Sequence, residues 1–199
     1  MADMQDYLRA TEIIDWINPA VLQKAKELAG DRTDPVEISR RYFEWVRDEI
    51  MHSNDHKMNS VTLKASEVLK YGTGYCYAKS HLLAALLRAN SIPCGICYQR
   101  LSIDDNGEPF CLHALNAVYL PEIGWYRMDA RGNKEGVDAR FTPPKEQLAF
   151  GINFEDEMDL PEIWPDPLPV VVDVLEKYSR FDEVAENLPD VLIIGKKKR

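Results

Sequence analysis

The chain has 199 residues, with 24 Lys and Arg against 33 Asp and Glu and a net charge of −9. That length predicts one domain whose core needs no covalent staples, and an acidic chain with no basic face argues against nucleic acid, since phosphate recognition needs clustered cations. No stretch has the apolar length of a membrane span, and the first residues, with Asp3 and Asp6, lack the apolar core of a signal peptide, so a cytoplasmic setting is expected.

The first half reads as helical. Tyr7, Leu8, Ile13, Ile14 and Ile17 suggest a helix from Asp3 to Trp16. Asn18-Pro19 is a cap followed by a proline at the first helical position, and it opens a helix that Gly30 closes. Asp34-Pro35 repeats the device before Ile38, Tyr42, Phe43, Trp45, Val46 and Ile50, spaced at threes and fours. The polar stretch His52–Ser60 has no periodicity and reads as a loop. Lys64–Lys70 suggests a short helix, and Gly72 and Gly74 a tight turn. From Cys76 to Asn90 the residues are strong helix formers and apolar on most sides, which predicts a central helix.

The pattern then turns strand-like. Ile92–Ile103 and Phe110–Leu120 flank Asp104-Asp105-Asn106-Gly107, a hairpin signal, and Trp125–Ala130 follows a turn at Pro121–Gly124. Helices followed by an antiparallel meander make an α+β layout. Leu148–Phe154 suggests a further strand and Val170–Tyr178 a helix, while the run Lys196–Arg199 reads as a solvated tail.

Cys76 falls at the first turn of the predicted central helix, where the macrodipole and unpaired N–H groups favour negative charge. A base must come from elsewhere. His81, five residues on, points away from Cys76; His52 and His56, in the loop, stay possible. His113 lies in the second strand and Asp129 near the end of the third, so adjacent antiparallel strands can set them side by side, Asp129 holding the imidazole in the useful tautomer.

Gly74-Tyr75-Cys76-Tyr77-Ala78-Lys79-Ser80 and Leu83 to Pro93 resemble the G-x-C helix and following strand entry of the transglutaminase-like superfamily; His113-Ala114 and Gly124-Trp125-Tyr126-Arg127-Met128-Asp129-Ala130 resemble its second and third motifs. The resemblance spans roughly Val61 to Phe141. It implies a papain/transglutaminase-like fold with the Cys helix packed on an antiparallel sheet or partial barrel, and a Cys76–His113–Asp129 triad working on a peptide or protein amide through a thioester. Residues 1–199 are then one domain: N-terminal helices to residue 50, a motif core at about 61–141, and an extension over 142–199. The chain departs from the family pattern at Leu115, Ala117 and Ala130, which bears on the substrate pocket. Ser53, Asn54, Asn59 and Tyr71 are candidates for the side-chain oxyanion donor.

Hydrolysis by a peptidase or amidase is the leading reading, with acyl transfer to an amine next and a non-catalytic binding module on the same fold as the alternative. No cofactor or metal is expected. Cys94-Gly95-Ile96-Cys97 has CxxC spacing, but on a strand its two side chains point to opposite faces and cannot chelate together. With Cys111 and His113 a zinc or redox site remains the minor alternative. The tryptophans are expected to fill core.

Overall fold

The computed structural model describes residues 3–104 and 106–191, so the run at 196–199 lies outside the described residues. Asn18 caps α1 (Pro19–Ala29) by accepting from the Ala20 N–H, and Asp34 caps α2 (Pro35–Glu49) through the Val36 N–H. Both helices start on proline, whose missing N–H costs nothing in a first turn. A two-residue strand β1 (Met51–His52) pairs in parallel with β2 (Thr73–Gly74), bringing His52 level with Gly74. Between them lies α3 (Ala65–Tyr71), ended by Gly72 in the left-handed conformation. β2 feeds directly into α4 (Cys76–Ala89), whose residues from Cys76 to Arg88 are all buried. This is the central helix that the apolar sequence demanded.

Behind α4 stands an antiparallel sheet of β3 (Cys94–Ser102), β4 (Phe110–Leu120), β5 (Gly124–Met128) and β6 (Met158–Asp159), in the spatial order β5-β4-β3-β6. Gln99 pairs with His113 and Asn116 with Met128. The chain finishes with α5 (Pro169–Lys177) and α6 (Phe181–Glu186). Buried Arg88 ties three regions together, donating to the carbonyls of Arg9, Cys94 and Pro165. A buried guanidinium needs this many acceptors to repay its desolvation.

Two expectations change, and one helix is added. Asp3–Trp16 is not a helix: a single 3-10 turn at Met4–Tyr7 precedes an irregular stretch. There the Thr11 hydroxyl takes the Ile14 N–H, the Trp16 indole donates to the Leu8 carbonyl, and Ile13 and Asp15 accept from the amides of Ala65 and Ser66. Local side-chain bonds and docking onto α3 outcompete the helical ladder. Leu148–Phe154 forms no strand, because its polar groups serve other partners: the Ala149 N–H donates to Asp129, Phe150 accepts from Gln99, and the amides of Asn153 and Phe154 donate to Glu157. α6 was not foreseen.

The sheet also disposes of the CxxC pair. Cys94 points into the main core, while Cys97 packs on the other face with Leu115, Ala117 and Trp125. Burial pushes both thiols up to about 12, and no cluster of three or more metal-ligating side chains occurs among the described residues. Leu115 and Ala117, two of the departures from the family pattern, are fully buried in that second cluster, on the same face of β4 as His113.

Candidate active site

Cys76 opens α4 with Tyr75 as a cap that contributes no side-chain bond, so the amides of the first turn are not spent on a capping oxygen. A Cβ at Gly74 would stand 3.1 Å from that of Ala78 and 3.2 Å from the Thr62 hydroxyl, tighter than an ordinary contact, so the turn packs closely against its neighbours. Tyr77, the next residue, fixes the helix to the sheet by donating from its hydroxyl to the Leu112 carbonyl at 2.6 Å. That bond sets the first turn of α4 beside His113.

His113 Nε2 meets Asp129 Oδ2 at 2.7 Å. Asp129 is fully buried and accepts two further bonds, from the Arg131 N–H at 3.1 Å and the Ala149 N–H at 3.2 Å. Burial favours a neutral carboxyl, but the charge and hydrogen bond of His113, then the two amides, outweigh it and hold Asp129 below the usual carboxylate range. For His113 burial alone would expel the proton. The carboxylate of Asp129, then Cys76 as charge and hydrogen-bonding partner, reverse this and raise the imidazole to about 10. With Nε2 committed to Asp129, Nδ1 is left for the sulfur. The Phe150 and His113 rings pack edge-to-face with centroids 5.0 Å apart, and the Arg131 guanidinium lies over the Phe150 ring, 5.5 Å from its centroid.

Cys76 and His113 line a cleft of about 600 Å³ whose walls include His52, Asn54, Tyr75, Cys111 and Arg131. The structure therefore brings the three predicted residues together: Cys76 and His113 at the cleft, Asp129 behind the imidazole. His81 is excluded, since its Nδ1 bonds the Leu63 carbonyl at 2.8 Å and burial pushes it down to about 4. Ser53 is buried against Thr73, and Tyr71 and Asn59 are exposed; none of the three lines the cleft, whereas Asn54 does.

Two features carried no sequence signal. Asp55 binds Arg131 at 2.7 Å and Lys134 at 2.9 Å, tying the loop after β1 to the turn after Asp129. Burial resists its charge, but the bonds from Arg131 and Lys134 pull it down to about 2. Lys79, one turn past Cys76, is buried; its Nζ donates to the Ile50 and Arg47 carbonyls at the end of α2, a favourable place for a cation. Burial first, then Arg131, lowers it to about 7.

A family model for the transglutaminase-like superfamily matches residues 22–130. No curated protein gives a significant match. Among solved structures, a candidate cysteine protease from Cytophaga hutchinsonii is similar at 19% identity with a TM-score of 0.54, covering 66% of this chain and 43% of that one. This likeness is one of fold. The periplasmic domain of TgpA from Pseudomonas aeruginosa matches at 20% identity, a TM-score of 0.43, 65% of this chain and 48% of that one. Red sea bream transglutaminase matches at 17%, 0.40, 64% and 26%. The chain spans less than half the length of each of these neighbours.

Proposed function

The chain belongs to the transglutaminase-like superfamily, and from that membership we propose that it is a cysteine-dependent hydrolase of the peptidase or amidase type, with Cys76 as nucleophile, His113 as acid and base, and Asp129 as its orienting group. The observation that carries this reading is the hydrogen-bonded His113–Asp129 pair set at the same cleft as Cys76.

The chemistry follows from the charges. An imidazole raised to about 10 is an imidazolium at neutral pH, giving one N–H to Asp129 and the other towards the sulfur. A donor aimed at sulfur favours thiolate, and so does the positive end of α4. The sulfur attacks the carbonyl carbon of an amide, forming a C–S bond while the carbonyl electron pair moves to oxygen. As that pair returns, the C–N bond breaks and the leaving nitrogen takes the proton from His113. Neutral His113 then removes a proton from water, whose oxygen attacks the thioester. The acid departs, and sulfur and imidazolium are restored. An amine replacing water gives acyl transfer from the same intermediate.

The four cysteines are free thiols, as a reducing cytoplasmic compartment would keep them. No helix among the described residues is long and apolar enough to cross a membrane. Residues 1–199 act as one domain on a peptide or protein amide.

The test is reaction with p-nitrophenyl acetate followed by mass spectrometry. One acetyl group should appear on Cys76 and turn over, and Cys76→Ala should remove both the adduct and the turnover. Iodoacetamide at slightly acidic pH should alkylate Cys76 well before Cys94 or Cys111. Equal labelling, or acetylation elsewhere in the wild-type protein, defeats the reading and leaves the binding module in its place.

A further inference from the structure

The tetrahedral intermediate needs donors for its oxygen, and the first turn of α4 supplies only backbone groups. The same cleft holds a side chain that the scheme above does not use. His52 is held by the β1–β2 ladder level with Gly74, two residues before the sulfur, and the Ser53 N–H extends that ladder by donating to the Gly74 carbonyl at 3.1 Å. Its ring packs edge-on against Tyr75 with centroids 5.5 Å apart, and it lines the same cleft as Cys76 and His113. A two-strand ladder of this length contributes little to stability. Its effect is to fix the position of one imidazole relative to one cysteine.

We propose that His52 is the side-chain donor of the oxyanion site, its Nε2–H acting with the backbone amides at the start of α4 on the oxygen formed when Cys76 attacks a carbonyl.

This deepens the hydrolase reading and rests on it. The ring's two nitrogens differ in setting. Nδ1 is buried without a hydrogen-bond partner, and Asp55 Oδ2, 3.6 Å away, is bound to Arg131. The proposed role takes the tautomer that carries its proton on Nε2. Burial, and after it the Arg131 charge, keep the ring neutral, which suits a group that must donate without giving up its proton. The step moves no proton: the carbonyl π pair shifts to oxygen, the Nε2–H bond to it shortens, and the pair returns when the leaving group departs. The Asp55–Arg131–Lys134 cluster then holds the loop behind the ring. Of the sequence candidates for this role only Asn54 lines the cleft, and it is exposed.

The test separates acylation, which passes through an oxyanion, from alkylation, which does not. His52→Ala should slow acetylation of Cys76 by p-nitrophenyl acetate about 100-fold, leave its iodoacetamide rate within about twofold, and leave the far-UV spectrum unchanged. His52→Gln, which retains an N–H donor, should recover a large part of the loss, and it carries the test if the alanine variant fails to fold. Asn59→Ala, exposed on the same loop and outside the cleft, should stay near wild type. Parallel loss of acylation and alkylation would make His52 a group that merely positions sulfur and would overturn the proposal. So would no loss in either, or a loss in Asn54→Ala in place of His52→Ala. A wild-type protein that never acetylates Cys76 defeats the hydrolase reading itself, and this proposal with it.

Discussion

Residues 61–141 hold Cys76 on α4, His113 on β4 and Asp129 just past the end of β5, whereas residues 142–191 contain no regular element longer than the nine-residue α5, yet close around that constellation. The Ala149 amide completes the bonding of Asp129, Phe150 covers His113, and Glu157 fastens the end of β3 through the Ser102 N–H. Further on, Pro189 accepts from the Leu112 N–H in β4, and Asp190 pairs with Arg100. Reactive groups need rigid elements to fix their angles. The cover needs only enough contact to keep water out, and irregular backbone can supply that wherever its polar groups find partners. Position resides in the first region, dielectric in the second.

Asp129→Asn strikes at position and should have the largest effect. An amide still fits the site but cannot offset a positive imidazole, so acetylation of Cys76 should fall by about 10³–10⁴-fold. The His113 ring, followed by NMR, should lose the proton that the wild type keeps through neutral pH up to about 10. An asparagine variant whose ring stays an imidazolium would shift the credit to Cys76 and break the division drawn above. Phe150→Ala strikes at the cover. Water reaching the His113–Asp129 bond weakens it electrostatically, so the rate should fall about tenfold. Loss of the half-buried ring should cost about 1–3 kcal/mol of stability, read from denaturant unfolding.

The same division explains what the sequence disclosed. α1, α2 and α4 announced themselves because capping residues, prolines and apolar spacing are all local to each helix. The meander was visible for the same reason, and setting His113 beside Asp129 needed only strand adjacency. Asp3–Trp16 misled because its apolar residues have helical spacing, yet its backbone bonds go to Thr11 and α3. Ala149 and Phe150 gave no hint of their tasks, since their partners lie 20 and 37 residues back along the chain. His52 was visible only as one loop histidine among several, for a two-residue parallel strand has no pattern to read.

Alkaline stability sharpens the comparison, because His113 and Lys79, which titrate with opposite sign from neutral pH upwards, both lie in the first region. His113 binds its proton more tightly folded, about 10 against the usual 6.5, so the stability it confers is complete below about 6.5 and lost as pH rises towards 10. Lys79 is the reverse. Folded it releases its proton near 7 and unfolded near 10.5, so the unfolded chain binds more protons between those values and stability grows with pH there. The two slopes oppose each other in the wild type over roughly pH 7–10. Lys79→Met removes the rising one, and urea midpoints for that variant should fall steadily across this range while the wild type stays flatter. A parallel profile for both proteins would mean that Lys79 keeps its proton in the fold, as the Ile50 and Arg47 carbonyls encourage.

Asp190→Asn should be the smallest change. Arg100 makes two 2.7 Å bonds to that carboxylate at the margin of the extension, with Phe110 beneath its guanidinium. The pair is partly open to solvent, and a neutral amide keeps one of the bonds, so the loss should be about 0.5–1 kcal/mol. Because Asp190 does not touch the His113–Asp129 bond or Lys79, acetylation of Cys76 and the shape of the stability profile should both be unchanged. A fall in acetylation comparable to that of Phe150→Ala would mean that the last described residues hold the cleft closed and do more than anchor a chain end. The extension would then share in positioning, and the line between the two regions would have to be redrawn at β4.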